Sequence, residues 1–307
     1  MVLSVLLNSL IYPPIAQSVE QLPFKERVPG SIPGGRTRYT FAMNIFFNDT
    51  PLGLYTEDAL KKQWGNVTNI KGVMEGRCQV VDIEGERALQ VTFPKGKLGP
   101  TLGGASWRYR FDRAYDEYTV EYKVRISREF DYVRGGKLPG LVGGANPRGG
   151  MREKESAGFS ARIMWRELGA LCQYVYFDEL SERKHGKNLL WTSDKKGSSL
   201  ITEEIWKQLQ ESRTKINSVE YLTSDTWHTM RTRIKMNTPG QDDGRIISWF
   251  DEREVLNVGV ALRRNMSFGI DSFQFTTYFG GNDETWAPKK DEQVYFKDFS
   301  FTTGDEK

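Results

Sequence analysis

The chain of 307 residues predicts an all-β fold: a single-domain β-jelly roll, a two-sheet antiparallel sandwich of concanavalin-like type. Three observations carry that prediction. Apolar and polar residues alternate with a period of two, most cleanly where Tyr118, Val120, Tyr122, Val124 and Ile126 interleave with Thr119, Glu121, Lys123 and Arg125. Such runs are separated by turn-rich joints, among them Glu84-Gly85-Glu86 and Pro239–Gly244. Helical patterning is sparse. No internal repeat or linker divides the chain, so one domain is expected over residues 43–307.

Residues 1–42 do not share this character. Met1–Tyr12 is apolar but lacks the positive start of a signal peptide, and Ala16–Thr37 has no clear periodicity. The segment resembles the conceptual translation of a transfer-RNA gene. That resemblance places the natural start at Met43 and leaves residues 1–42 as a non-native or disordered extension. A short export or anchoring segment is the competing reading, and no compartment is indicated.

From Met43 the elements follow in order. Thr56–Trp64 opens with Thr and has acids in its first turn, as a short helix does. Strands are expected at Cys78–Ile83, Ala88–Phe93, Tyr118–Ile126, Phe159–Trp165, Leu171–Phe177, Trp227–Met236, Arg245–Phe250, Ile270–Phe279 and Val294–Thr302. The segment from Gly135 to Gly150 is rich in glycine and reads as a loop. Lys184–Ser224 is polar, long for a sandwich connection, and contains a helical stretch at Glu203–Arg213. It could wall a cleft or be a surface decoration.

Composition narrows the function. The balance of 43 basic and 40 acidic residues leaves +3, which argues against a nucleic-acid partner. No apolar run approaches the roughly 18 residues of a membrane span, so no membrane partner is expected. Between Arg128 and Arg166 eight basic residues face four acidic ones, an excess that suits an anionic ligand, although solvated faces often carry one. Cys78 and Cys172 make no metal-ligand pair; they could bond to each other, but nothing in the spacing demands it. The two histidines, His185 and His228, lie in no nucleophile or metal motif, and His228 reads as a strand residue at a sheet edge. Asp242-Asp243-Gly244 reads as a turn before it reads as a calcium loop. Neither a metal nor a cofactor is expected, and the chain is expected to act as a monomer.

Alternation sorts the candidate site residues. Phe159, Ala161, Ile163 and Trp165 share one strand face, with Ser160, Arg162 and Met164 on the other. Cys172, Tyr174 and Tyr176 share a face in the following strand, opposite Leu171, Gln173 and Val175. Ser, Arg and two Tyr beside a glycine-rich segment bearing Lys137 suggest a polar cleft. Gln274, Thr276 and Tyr278 alternate with Phe273, Phe275 and Phe279, and their polar face could line the same cleft as a substrate-binding surface. Read alone, alternating tyrosines are ordinary strand residues, and a lysine beside glycines is an ordinary loop residue.

Several motifs in order change the weight of these residues. KLPGLVGG at Lys137–Gly144, FSARIMWR at Phe159–Arg166 and QYVYF at Gln173–Phe177 resemble polysaccharide lyase family fourteen. The likeness continues through Pro94–Trp107, Asn237–Gly244 and Tyr278–Phe296. It implies a β-jelly roll and a lyase that cleaves a uronate-containing polysaccharide, of alginate or glucuronan type, by β-elimination. It also implies that Lys137, Ser160, Arg162, Tyr174 and Tyr176 are the catalytic set. Val142 stands where the family often has an aromatic residue, which bears on a subsite. The chemistry fits the residue types. Elimination needs a neutralised carboxylate, a base for the C5 proton and an acid for the leaving oxygen. Arg162 and Lys137 suit the carboxylate. A tyrosine serves as base if cations favour its phenolate, and Tyr176 is preferred to Tyr174. A non-catalytic carbohydrate-binding jelly-roll module is the alternative.

Overall fold

Strand alternation sorts the side chains of this protein into an aromatic interior and two outer faces. The computed structural model describes residues 25–30, 38–147, 158–177, 186–194, 203–264 and 268–303. In chain order the strands are β1 Lys25–Gly30, β2 Arg38–Ile45, β3 Gly53–Leu54, β4 Val67–Lys71, β5 Cys78–Ile83, β6 Glu86–Phe93, β7 Gly104–Tyr115, β8 Glu117–Ile126, β9 Gly135–Gly144, β10 Gly158–Arg166, β11 Leu171–Tyr176, β12 Lys187–Leu190, β13 His228–Lys235, β14 Gly244–Phe250, β15 Arg253–Val260, β16 Ile270–Phe279 and β17 Glu292–Thr302. One sheet has the order β15-β14-β13-β8-β17-β6-β5-β3, with β2 paired to β17 and β1 to β2. The other, the site sheet, has the order β12-β11-β10-β9-β16-β7-β4. The two antiparallel sheets form the expected sandwich.

Helix α1, Glu57–Trp64, is capped by the Thr56 hydroxyl, which accepts from Ala59 N. It drives Trp64 between the sheets. The Trp64 ring stacks on Phe273 at 6.1 Å and meets Trp107 at 5.5 Å and Phe299 at 5.1 Å, so one side chain touches both layers. The β5–β6 hairpin closes through Glu84 and Gly85, both at positive φ, the geometry of a two-residue turn that matches strand twist. Asp251 and Glu252 do the same between β14 and β15. Asp243 accepts from the Thr238 amide and hydroxyl, which braces the turn before β14.

Two local expectations are corrected. The glycine-rich segment is not a loop up to Gly144: it is β9, a ten-residue strand between β10 and β16. Its glycines answer to crowding. A Cβ on Gly136 would run into the Trp165 ring, and one on Gly140 into the Ala161 carbonyl. His228 does not lie on an edge strand. It starts β13, between β8 and β14, buried with Nδ1 2.7 Å from Asp251 Oδ2 and Nε2 2.7 Å from Thr223 Oγ1. The remaining histidine, His185, lies outside the described residues. Cys78 and Cys172 are free and buried.

Strand β2 runs through Met43: Ala42 pairs with Thr302, Met43 with Phe301, Asn44 with Ser300 and Ile45 with Phe299. Met43, Ile45 and Phe47 are buried in the core. A chain beginning at Met43 keeps all three; it loses the Ala42 pairing to β17 and, with β1 and the first half of β2, the β1–β2 pairing. Such a chain is expected to be soluble and active, with a melting temperature within about 4 °C of the full chain, as for a change near 1 kcal/mol. Insolubility or a larger drop in calorimetry would show that residues 1–42 belong to the domain.

Candidate active site

The outer face of the site sheet gathers the polar residues. β10 alternates between core side chains Phe159, Ala161, Ile163 and Trp165 and the opposite set Ser160, Arg162, Met164 and Arg166. In β11, Leu171 and Val175 enter the core, while Cys172, Tyr174 and Tyr176 join a second cluster on the outside. Register pairs Ser160 with Tyr176 and Arg162 with Tyr174. Lys137 on β9 pairs with Met164 on one side and with Tyr278 on the other. Strand pairing therefore brings Lys137, Ser160, Arg162, Tyr174 and Tyr176 to one face.

The five residues are all buried. Tyr174 Oη and Tyr176 Oη are 2.8 Å apart, and the Gly186 amide donates to Tyr174 Oη at 3.1 Å. The Lys137 ammonium lies 3.4 Å from the centre of the Tyr174 ring and 2.6 Å from Met164 Sδ. Burial, followed by the Arg162 and Arg166 guanidinium groups, holds the Lys137 amine well below the ordinary lysine range. Against these, the Tyr174 ring face favours the charged amine; burial and two like charges prevail. Tyr174 is pushed upward, first by burial and then by Tyr176, so it keeps its proton. The Arg162 Nε is buried with no hydrogen-bond acceptor among the described residues. Ser160 Oγ donates to Pro147 O at 2.9 Å, which ties β10 to the end of the β9 connection.

The expected substrate-binding residues divide. Gln274 is used by the protein itself: its Nε2 donates to Ser106 Oγ at 2.9 Å and Trp107 O at 3.0 Å, and its Oε1 accepts from Asn146 at 2.9 Å. Thr276 is buried opposite Ser106. Tyr278 is the partly exposed member of the three and lies across from Lys137.

Other contributors are visible only in three dimensions. Arg166 is a third cation, 5.5 Å from the Tyr174 ring centre and bonded to Asn188 of β12. FSARIMWR contains it, but nothing in a linear pattern marks its contact with Asn188. Gln173 is buried beneath the tyrosines and accepts from Ser248 at 3.1 Å, joining the two sheets under the site. The long connection walls the site. It contributes helix α2, Glu203–Lys207, and a following turn in which Leu209 packs in the cluster of Tyr174 and Tyr176. Residues 184–185 and 195–202 of that connection lie outside the described residues.

The sequence model of polysaccharide lyase 14 matches residues 82–299. The chain belongs to polysaccharide lyase family 14. No curated protein matches it. Among solved structures, alginate lyase Aly36B is 22% identical with a TM-score of 0.64, over 85% of this chain and 96% of its own. The PL-14 alginate lyase from Aplysia kurodai is 19% identical with a TM-score of 0.60, over 85% and 98%. Alginate lyase vAL-1 from Chlorella virus is 22% identical with a TM-score of 0.59, over 83% and 99%. These structures share the fold of this family 14 chain.

An amine held below its ordinary range makes a definite stability prediction. The folded state binds fewer protons than the unfolded state, so the Lys137 penalty is full at low pH and fades as pH rises toward the ordinary lysine value. Lys137→Met is expected to raise the melting temperature, by about 2–4 °C for each kcal/mol relieved. The gain should be larger at about pH 6 than at about pH 9. Calorimetry at both values checks this; a loss of stability at about pH 6 would mean that the amine is well solvated in the fold.

Proposed function

We propose that this family 14 lyase cleaves a polyuronate, alginate or glucuronan in type, by β-elimination to leave unsaturated uronate ends. The observation that carries the reading is the Tyr174–Tyr176 hydroxyl pair set among Lys137, Arg162 and Arg166. Such a site attracts a carboxylate and has hydroxyls at hand for proton transfer. The alginate trisaccharide bound by an Aly36B variant, 21% identical to this chain with a TM-score of 0.68, supports the same substrate class.

Each residue has a role in this reading. Arg162, with an uncommitted buried Nε, takes the uronate carboxylate and stabilises charge spreading onto it as C5 loses its proton. Lys137 joins it once the substrate is in place, because an arriving carboxylate favours the charged amine. Tyr174 accepts from the Gly186 amide and, keeping its own proton, is assigned as the donor of the hydrogen bond shared with Tyr176 Oη. Because Tyr174 keeps its proton, Tyr176 is the residue in this reading that removes the C5 proton and returns it to the leaving C4 oxygen. Ser160 positions the strand and the substrate. The protein works as a monomer, without a metal or cofactor, on a soluble anionic chain.

Tyr176→Phe preserves the ring and removes the hydroxyl. Turnover should fall by about 10²–10⁴-fold, the usual contribution of a general acid–base group, while polyuronate binding survives. Arg162→Ala should lose on the order of 100-fold or more. Ultraviolet absorbance of unsaturated ends reports the product. A wild-type chain that binds alginate and polyglucuronate yet yields no such product would be a binding module.

Recharging of Lys137 predicts proton uptake on binding. Binding polyuronate should take up close to one proton per site at a pH between the free and bound values of the amine. Affinity should weaken as pH rises through that window. Titration calorimetry in buffers of different ionisation heat measures the uptake directly. Uptake equal in wild type and in Lys137→Met would remove Lys137 from carboxylate binding.

A further inference from the structure

The sheet opposite the tyrosines carries a second group of cations on its outer face. β13 turns Arg231, Arg233 and Lys235 outward, and β14 turns out Arg245, Ile247 and Trp249. Register sets Lys235 against Arg245, Arg233 against Ile247 and Arg231 against Trp249. Like charges placed directly opposite in a sheet cost stability. Lys235 and Arg245 are both exposed, and among the described residues neither has an ion-pair partner.

The nearby carboxylates do not resolve this pair. Glu117, in register with Lys235, is held by Arg233, and Asp243, which also lies within reach of the Lys235 charge, is held by Thr238. Glu121 stands in register with Arg231, and Glu254, opposite Trp249, accepts from Asn257 at 3.2 Å. Arg233, Lys235, Arg245 and Ile247 line a groove of ≈ 230 Å³. Arg231 lies 4.8 Å from the centre of the Trp249 ring beside it. Cations here alternate with apolar surface.

We infer that this face binds the anionic polysaccharide outside the catalytic cleft. One uronate carboxylate bridges Lys235 and Arg245, and the apolar face of the sugar lies on Ile247. The assignment rests on the polyuronate reading of the substrate. Charge complementarity selects a polyanion, and the apolar side chain between the cations favours a pyranose ring over a phosphate backbone. A long chain held at this face presents its remaining sugars to the cleft at raised effective concentration. A tetrasaccharide is too short to occupy both faces.

Affinity electrophoresis through gels containing sodium alginate tests the proposal in the Tyr176→Phe chain, with the cleft saturated by alginate tetrasaccharide. Retardation that survives the tetrasaccharide should weaken by about 3–10-fold on adding Lys235→Ser and Arg245→Ser, as for two exposed charge contacts. The same pair of changes in the otherwise wild-type chain should leave tetrasaccharide cleavage unchanged and the melting temperature equal or higher. Unaltered retardation overturns the proposal. Equal retardation in gels containing duplex DNA, lost with the same two residues, overturns the polysaccharide assignment. Release of unsaturated ends by the wild-type chain tests the lyase reading separately, so the two can fail independently.

Discussion

The alternation of side chains across a single layer of backbone governs the whole site. Between the aromatic core and the cationic face lies only the site sheet itself. On β10, Trp165 packs below against Phe93 at 6.1 Å, Phe130 at 5.8 Å and Phe279 at 5.4 Å. One residue earlier, Met164 lies above, against the Lys137 amine. Aromatic pairs contribute about 0.5–1.5 kcal/mol each beyond their buried area. The cations on the other face repel one another, and the contact of Lys137 with the Tyr174 ring offsets this only in part. Packing on one face thus holds in place a charge cluster that repels itself on the other.

The same arrangement explains why the site does not collapse into internal ion pairs. Arg162 and Lys137 have no carboxylate partner among the hydrogen bonds and salt bridges of the described residues, whereas Arg108 is bound to Asp271 at 2.7 Å on the same sheet. Arg108 is structural by this measure. Lys137 and Arg162 remain electrostatically incomplete, which is the condition for selecting an anion from solution. Wall residues from the long connection, Leu209 foremost, exclude water from the tyrosine pair and strengthen every interaction beside it.

Much of this was legible in the sequence, for a physical reason. Period two is a local property, so the two faces of β10 and β11 could be read from FSARIMWR and QYVYF without knowing their neighbours. The N-cap Thr56 and the Glu84-Gly85 turn are likewise local. β9 was not legible, because glycine content reports backbone freedom and not the crowding by Trp165 and Ala161 that requires it. β7 and β15 were passed over, the first within a glycine-rich motif and the second directly after a tight turn. Arg166 and Gln173 owe their roles to contacts with Asn188 and Ser248, partners that are distant in the chain. The interior position of His228 depends on which strands flank β13, which a single strand's pattern does not contain.

The hairpin from β10 to β11 also constrains how such a chain can vary over generations. Adding or deleting one residue within β11 would exchange its faces, sending Tyr174 and Tyr176 into the core that Leu171 and Val175 now fill and presenting Val175 to the outer face. The core and the polar face would both be lost in one step. A change of two residues restores the faces, although it shifts the tyrosines along the strand. Length change within these strands is therefore filtered by parity, and lineages diverging from this protein should show single-residue gaps in the connections rather than within Gly158–Arg166 or Leu171–Tyr176.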